Sequence, residues 1–167
     1  MTELRIDRLE SPVGRITLVA HGGTLCALDF FDPEGLRERL AARFGAPRYL
    51  ETDDPAGLTS RLRAYFAGRL DALDDIPVDP GGTPFQQQVW KALCEIPCGQ
   101  TRSYRDVANA IGNPKATRAV GAANGRNPIG IVIPCHRVVN ADDRLGGYAG
   151  GLDNKRWLLA HEGALLA

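Results

Sequence analysis

Pro134-Cys135-His136-Arg137-Val138 places a thiol beside an imidazole and a guanidinium. The apolar run Ile131-Val132-Ile133 ahead of it reads as a buried strand, with Cys135 at its mouth. Thiolate, not thiol, is the nucleophile, and nearby positive charge lowers a cysteine pKa. Three chemistries use such a group: acyl transfer, thiol redox exchange, and irreversible capture of an alkyl group. Redox exchange is weakened because no resolving cysteine lies near Cys135 in sequence; Cys94 or Cys98 could approach only in space. Acyl transfer needs a His base and an orienting Asn or acid. His136, Asn127 and Glu162 supply those types. Adjacent residues on a strand point to opposite sides, so His136 would reach Cys135 only across a turn or through a water.

The elements that must position these groups follow from periodicity and punctuation. Thr83-Pro84-Phe85-Gln86 has a cap, a first-turn proline and a capping box, opening a helix with Phe85, Val89, Leu93 and Ile96 on one stripe. Pro97 ends it. Ser103 caps a short helix carrying Tyr104, Val107, Ala108 and Ile111. Gly112-Asn113-Pro114 makes a turn, with Asn113 expected to cap a second helix that Pro114 starts. Helix, short Gly-containing turn, helix is the helix-turn-helix pattern. On the second helix Ala116, Val120 and Ala123 can face the core, and Lys115, Arg118 and Ala122 share the other face. Arg118 thus stands on a smooth surface of Ala and Gly, which suits either close approach to a partner or tight packing. Gly125-Arg126-Asn127-Pro128 is a turn, Ala141–Arg144 a loop tip, and Gly146–Gly151 a Gly-rich segment with Tyr148 and Ala149 inside it. A last helix carries Trp157, Leu158 and His161 and stops at Gly163.

The first half is organised differently. Gly14–Ala20 and Thr24–Phe30 read as strands joined by His21-Gly22-Gly23, and 33–44 and 55–69 have helical spacing. The Pro-, Gly- and Asp-rich stretch from Asp74 to Pro84 reads as a linker. The charge balance changes sign there. Residues 1–80 hold 10 Lys+Arg against 14 Asp+Glu, a net of −4; residues 81–167 hold 10 against 6, a net of +4. The expected domains are therefore 1–80 and 81–167, with the basic half holding Cys135.

The bulk properties are those of a soluble globular chain: 167 residues, 44% hydrophobic and 24% charged. No apolar run is long enough to span a bilayer, and Met1-Thr2-Glu3-Leu4-Arg5 lacks a signal-peptide pattern, so a cytoplasmic location is expected. Cys26, Cys94 and Cys98 read as mostly buried filler. The Cys94–Cys98 spacing is a loose match to half a zinc site without a second half, so no metal or cofactor is expected.

Taken together, Pro134–Val138, Arg118-Ala119-Val120-Gly121, Asn127-Pro128 and Gly147-Tyr148-Ala149-Gly150-Gly151 resemble the O6-alkylguanine-DNA alkyltransferases. The match runs from about Thr83 to Gly163 with order and spacing preserved; Ser11-Pro12-Val13-Gly14 extends it weakly into the first half. The resemblance implies an N-terminal ribonuclease-H-like α/β domain of sheet and helices, followed by a mainly α, winged helix-turn-helix-like domain. It implies direct reversal of DNA alkylation: a minor-groove binder flips O6-alkylguanine, and by extension O4-alkylthymine, out of duplex DNA and transfers the alkyl group once to Cys135. Arg118 would fill the gap left by the flipped base, with Ala119, Gly121 and Ala122 allowing close approach. Tyr104 would donate toward the purine, His136 would deprotonate Cys135 through a water, and Glu162 would polarise His136. Asn127 would orient the turn. Backbone groups at Val138 and Ala149 would read the guanine edge beside Tyr148. Arg126 and Arg137 stand as phosphate contacts or structural ion pairs. Double-stranded DNA is the implied partner and a monomer the implied state, with cooperativity on DNA left open. Two departures are visible: Gly130 where some relatives have proline, and Ala149 where some have a hydroxyl residue. The competing class is a DNA-damage-binding regulator that performs no chemistry.

Overall fold

The computed structural model describes residues 1–30, 33–142 and 144–164. Contacts divide the chain into Met1–Gly81 and Gly82–Ala167.

The first unit is a four-stranded sheet with order β3-β2-β1-β4, made of β1 (Glu3–Ser11), β2 (Gly14–His21), β3 (Thr24–Asp29) and β4 (Arg48–Glu51). β1, β2 and β3 run antiparallel, and β4 joins β1 in parallel after the crossover helix α1 (Pro33–Phe44). Leu36 and Leu40 of α1 pack with Leu4, Ile6, Val19, Cys26 and Ala27 on one sheet face. Leu18 and Ala20 beside Val19 are also wholly buried, so the other face is covered too. Helix α2 (Leu58–Phe66) packs against β1 and buries Leu58, Leu62 and Tyr65. Asp7 of β1 fixes the approach to α2. It accepts from the Asp54 amide at 3.0 Å and the Thr59 hydroxyl at 2.6 Å.

Two strands, β1 and β4, were not expected from the sequence. The stretch expected as a linker is also less loose than its composition suggests. Leu25 bonds Pro77 and Asp79 through its backbone, Leu25 and Val78 form a parallel bridge, and Arg43 pairs with Asp79 at 2.6 Å.

The second unit is mainly helical: α3 (Pro84–Cys94), α4 (Tyr104–Ala110), α5 (Thr117–Gly125) and α6 (Leu152–His161), with a two-residue parallel ladder of β5 (Arg102–Ser103) and β6 (Val138–Val139). The expected capping box of Thr83 with Gln86 is present, and Ser103 caps as expected, in a second box with Asp106 that was not foreseen. Trp90 ties α3 to α5 by donating its indole N–H to the Ala123 carbonyl at 2.9 Å. Three expectations change. Helix α5 begins at Thr117, not Pro114; Asn113 closes a turn to Ala116 instead of capping. Ile131-Val132-Ile133 is no strand. Ile129, Ile131 and Ile133 are buried in consecutive tight turns, with Ile131 at φ +70°. Cys26 is buried as expected, but Cys94 and Cys98 are exposed. Asp143, at the expected loop tip, lies outside the described residues. No described helix is long and apolar enough to cross a membrane.

Gly82 precedes the cap of α3 at φ +84°, and a Cβ there would fall 2.6 Å from the Trp90 ring. Gly82→Ala should therefore destabilise the protein by about 1–3 kcal/mol, through the left-handed backbone and the clash together. A lowered thermal midpoint checks this.

Candidate active site

Cys135 opens a single 3-10 turn, Cys135–Arg137, that follows the buried Ile-rich turns and feeds β6. A turn replaces the expected strand end, yet neighbouring side chains still diverge, by about 120° per residue in a 3-10 helix. His136 accordingly points away from Cys135 toward α6. Its Nε2 lies 3.0 Å from Glu162 Oε2, and both side chains are buried.

Glu162 is shared. Arg137 donates from Nε to Glu162 Oε1 at 2.8 Å and from its second guanidinium nitrogen to Oε2 at 3.0 Å. Its remaining nitrogen donates to the Ile96 carbonyl beyond α3 at 2.7 Å. Arg137 is therefore a structural ion pair rather than a phosphate contact. Burial alone would raise the Glu162 pKa, but the bonds from His136 and Arg137 outweigh it and hold the carboxyl well below the usual range. An ionised carboxylate only accepts, so His136 Nε2 carries the proton and Nδ1 carries the lone pair. Among the described residues no protein group bonds Nδ1. Burial lowers the His136 pKa against the pull of Glu162, which keeps the ring neutral.

Burial governs Cys135 as well. It raises the thiol pKa, although a hydrogen bond from Asn127 and the charge of Lys155 act the other way. The sequence suggested a thiol activated by adjacent cations. The structure corrects that: the Arg137 charge is spent on Glu162, and desolvation wins. Asn127 also locks the turns ahead of Cys135. Its Nδ2 donates to the Ile133 carbonyl at 2.7 Å, and its Oδ1 accepts from the Ile129 amide at 3.0 Å.

The β5–β6 ladder carries Tyr104 to this turn, because Ser103 pairs with Val139 and Tyr104 follows it. Burial and the charge of Cys135 both raise the Tyr104 pKa, so the phenol keeps its proton. Gly121 of α5 passes close to the ring, and Gly146 passes close to its hydroxyl; Cβ atoms there would lie 3.9 Å and 3.1 Å away. Tyr148 meets the His136 ring edge-on at 6.5 Å between centroids, and burial holds its phenol proton firmly. Ala149 is exposed and Val138 is buried. Arg118, Ala119, Ala122 and Arg126 are exposed along and after α5, and Gly121 is half-buried. None of the ion pairs among the described residues involves Arg118.

Two residues near the site were missed in the sequence. Lys155 is wholly buried, and its ammonium donates to the carbonyls of Val138 at 2.7 Å, Gly147 at 3.1 Å, and Leu145. Val138 O keeps one lone pair beyond that bond. A lysine three residues into an amphipathic helix ordinarily signals a solvated face, so nothing marked it. Asn124, buried at the end of α5, donates to the Cys135 carbonyl at 3.4 Å. Chemically, the arrangement holds a protonated thiol, a neutral imidazole with one open nitrogen, and a protonated phenol that can donate a hydrogen bond.

Comparison with known proteins follows this division of the chain. Residues 4–80 match the model of the 6-O-methylguanine DNA methyltransferase ribonuclease-like domain, and residues 84–164 match that of the 6-O-methylguanine DNA methyltransferase DNA binding domain. A methylated-DNA–protein-cysteine methyltransferase of Methanosarcina barkeri is 46% identical over 156 residues, covering 93% of this chain and 95% of the relative. One of Shigella flexneri is 58% identical over 102 residues, but that match spans only 61% of this chain and 60% of the relative. Among solved structures, Mycobacterium tuberculosis OGT in complex with DNA superposes with a TM-score of 0.82 at 42% identity, covering 97% of this chain and 93% of that one.

Removing the shared carboxylate should be costly, because it leaves Arg137 without its buried partner. Glu162→Ala is expected to lose about 3–5 kcal/mol in denaturant unfolding. The pH dependence has a definite sign. The folded-state pKa values of His136 and Glu162 are both depressed, so their contribution is present above the unfolded values of 6.5 and 4.5. It is lost as pH falls below them. Unfolding curves should show wild-type stability declining below pH 6.5 and more steeply below 4.5, with Glu162→Gln flatter in the lower window.

Proposed function

The chain belongs to the 6-O-methylguanine DNA methyltransferase family, and from that membership we propose that it repairs O6-alkylguanine in duplex DNA by moving the alkyl group, once and irreversibly, to Cys135. The observation that carries this reading is the polarity of His136. Its Nε2–H is anchored on Glu162 while Nδ1 makes no bond to a described protein group, on the residue that follows a thiol which burial keeps protonated. Such a site stays quiet until a substrate arrives.

In the proposed step the Cys135 proton passes through a water to His136 Nδ1. The thiolate sulfur forms a bond to the alkyl carbon as the bond from that carbon to O6 breaks. The electron pair stays on the purine, which takes a proton from Tyr104. Asn127 holds the Cys135 turn and hydrogen-bonds the sulfur, which offsets part of the desolvation cost. Backbone at Val138 and Ala149 would read the guanine edge beside Tyr148. A thioether is a poor leaving group, so each chain reacts once. O4-alkylthymine presents a similar alkyl-oxygen centre and belongs to the same proposal.

Base extrusion is assigned to α5. Its exposed surface is Arg118, Ala119, Ala122 and Gly125, which lets the backbone approach a groove closely while one long cation projects. Arg126 follows at the helix end as a phosphate contact. Flipping a nucleotide costs a few kcal/mol, and less when its pairing is already impaired, as for an O6-alkylated guanine.

Incubation with a duplex containing O6-methylguanine should add one methyl group per chain, at Cys135, by intact-mass and peptide mass spectrometry. Multiple turnovers, or an unmodified protein, would overturn the assignment. Arg118→Ala should slow repair of that duplex by about tenfold or more, since each 1.36 kcal/mol withheld from extrusion is tenfold in rate. It should leave reaction with free O6-benzylguanine nearly unchanged. Equal losses on both substrates would remove Arg118 from the extrusion step.

A further inference from the structure

We infer that Asn124 is a positioning residue for the proton transfer from Cys135 to His136, its side-chain oxygen holding the water through which the proton passes. The inference rests on the proposed reading of Cys135 as the acceptor of an alkyl group, and it adds the group that fixes that water.

Asn124 lies at the buried end of α5 with 5% of its surface exposed. Its Nδ2 donates to the Cys135 carbonyl at 3.4 Å. A carbonyl oxygen only accepts, so the amide nitrogen must face it and Oδ1 is turned elsewhere. Among the described residues no group donates to Asn124 Oδ1, and none bonds His136 Nδ1; both atoms are closed to bulk solvent. A buried acceptor left unpaired costs about 1–3 kcal/mol, and native structures hold few of them. These two belong to one place. Asn124 is bonded to the backbone of Cys135, and His136 is the next residue. Two acceptors thus flank a residue whose thiol is a donor.

One water matches that set. A buried water makes about three hydrogen bonds to polar groups that otherwise lack partners. Its oxygen accepts from the Cys135 thiol, and its two hydrogens go to His136 Nδ1 and Asn124 Oδ1. In the transfer the S–H bond breaks and that proton joins the water oxygen. One O–H proton passes to Nδ1, and the water is left intact. Sulfur keeps the electron pair that forms the bond to the alkyl carbon. Asn124 Oδ1 takes no proton. It holds the second hydrogen, so the water cannot turn out of the line between sulfur and Nδ1.

The test is the rate of Cys135 alkylation by free O6-benzylguanine against pH, in the full chain, for the wild type, Asn124→Leu and Asn124→Met. Leucine has nearly the shape of asparagine and no acceptor. Benzyl transfer to Cys135 in the wild type, read by intact mass, is the control; its failure would overturn the proposed function before any variant is compared. Given that control, Asn124→Leu should lose about tenfold to a hundredfold at pH 7, part of the factor that general-base catalysis supplies. The loss should shrink as pH rises toward 9, because hydroxide then makes the thiolate without the water path. The other groups acting on Cys135 and His136 are Lys155, Glu162 and Arg137, with the phenols of Tyr104 and Tyr148 beside them. Lys155, drawn by burial to about 8, titrates within this range in all three proteins, so the ratio of variant to wild type is the readout. A loss by the same factor at every pH would make Asn124 a packing residue and overturn the inference, as would a wild-type rate in the variants. If Asn124→Leu fails to fold by circular dichroism, the same ratio for Asn124→Met decides, since its unbranched chain adapts to irregular gaps.

Discussion

The carboxylate of Glu162 is the charge around which the second unit is arranged. It is buried, and a buried carboxylate is tolerable only when several donors meet it. His136 and Arg137 do so from adjacent positions of one short turn. The two residues after Cys135 are thereby committed to α6, and the thiol is left facing the other way. Arg137 extends the same constraint to the far side, through the carbonyl of Ile96. A change at Glu162 therefore disturbs stability and the orientation of the imidazole together. The protonation state of His136 follows from the same contact. Because the carboxylate can only accept, the tautomer is decided, and the nitrogen left for chemistry is Nδ1.

The remaining parts of the site are brought in by short, inexpensive devices. Two residues of parallel ladder place Tyr104 beside the turn. Three backbone acceptors on one ammonium hold the Gly-rich segment. Asn127 spans from Ile129 to Ile133 and so closes the turns that deliver Cys135. Each device joins residues far apart in sequence, or settles a backbone that neither helix nor sheet would hold. Glycine enters where space demands it. At Gly146, with φ +69°, a Cβ would press on the Tyr104 hydroxyl at 3.1 Å.

What could be read from the sequence was local. The caps at Thr83 and Ser103 declare themselves within four residues, and both helices form where they point. Arg118 on a small-residue face was visible from spacing, as was Cys135 among apolar neighbours. The failures have a common cause. Ile131-Val132-Ile133 has a strand's composition, but Ile131 adopts φ +70° and the run folds into turns; burial was read correctly and conformation was not. β4 and the β5–β6 ladder depend on partners distant in the chain, which no local pattern declares. Nothing in the sequence marked Lys155, because its acceptors are backbone atoms, which leave no trace in residue types. Asn113 was a good cap by type, but the chain takes one more turn before α5 begins.

The raised pKa of Cys135 is the feature least expected from the sequence and the one that best fits a single-use reagent. A catalyst that turns over gains from a standing thiolate. A reagent that is consumed once loses its whole capacity to any stray electrophile it meets. Two units above neutrality leave about 1% of a thiol ionised, and burial raises this one beyond the ordinary thiol value of 9.0. In the proposed step the neutral His136 would accept the proton only when a substrate excludes bulk water and places an alkyl carbon in line with sulfur. Asn127 and Lys155 lower the cost of that ionisation without abolishing it. Desolvation that a cysteine protease would have to overcome at every cycle here protects the thiol between synthesis and its one reaction. The cations suggested by the pentapeptide serve this end indirectly, Arg137 by fixing Glu162 and hence the imidazole, rather than by activating the sulfur.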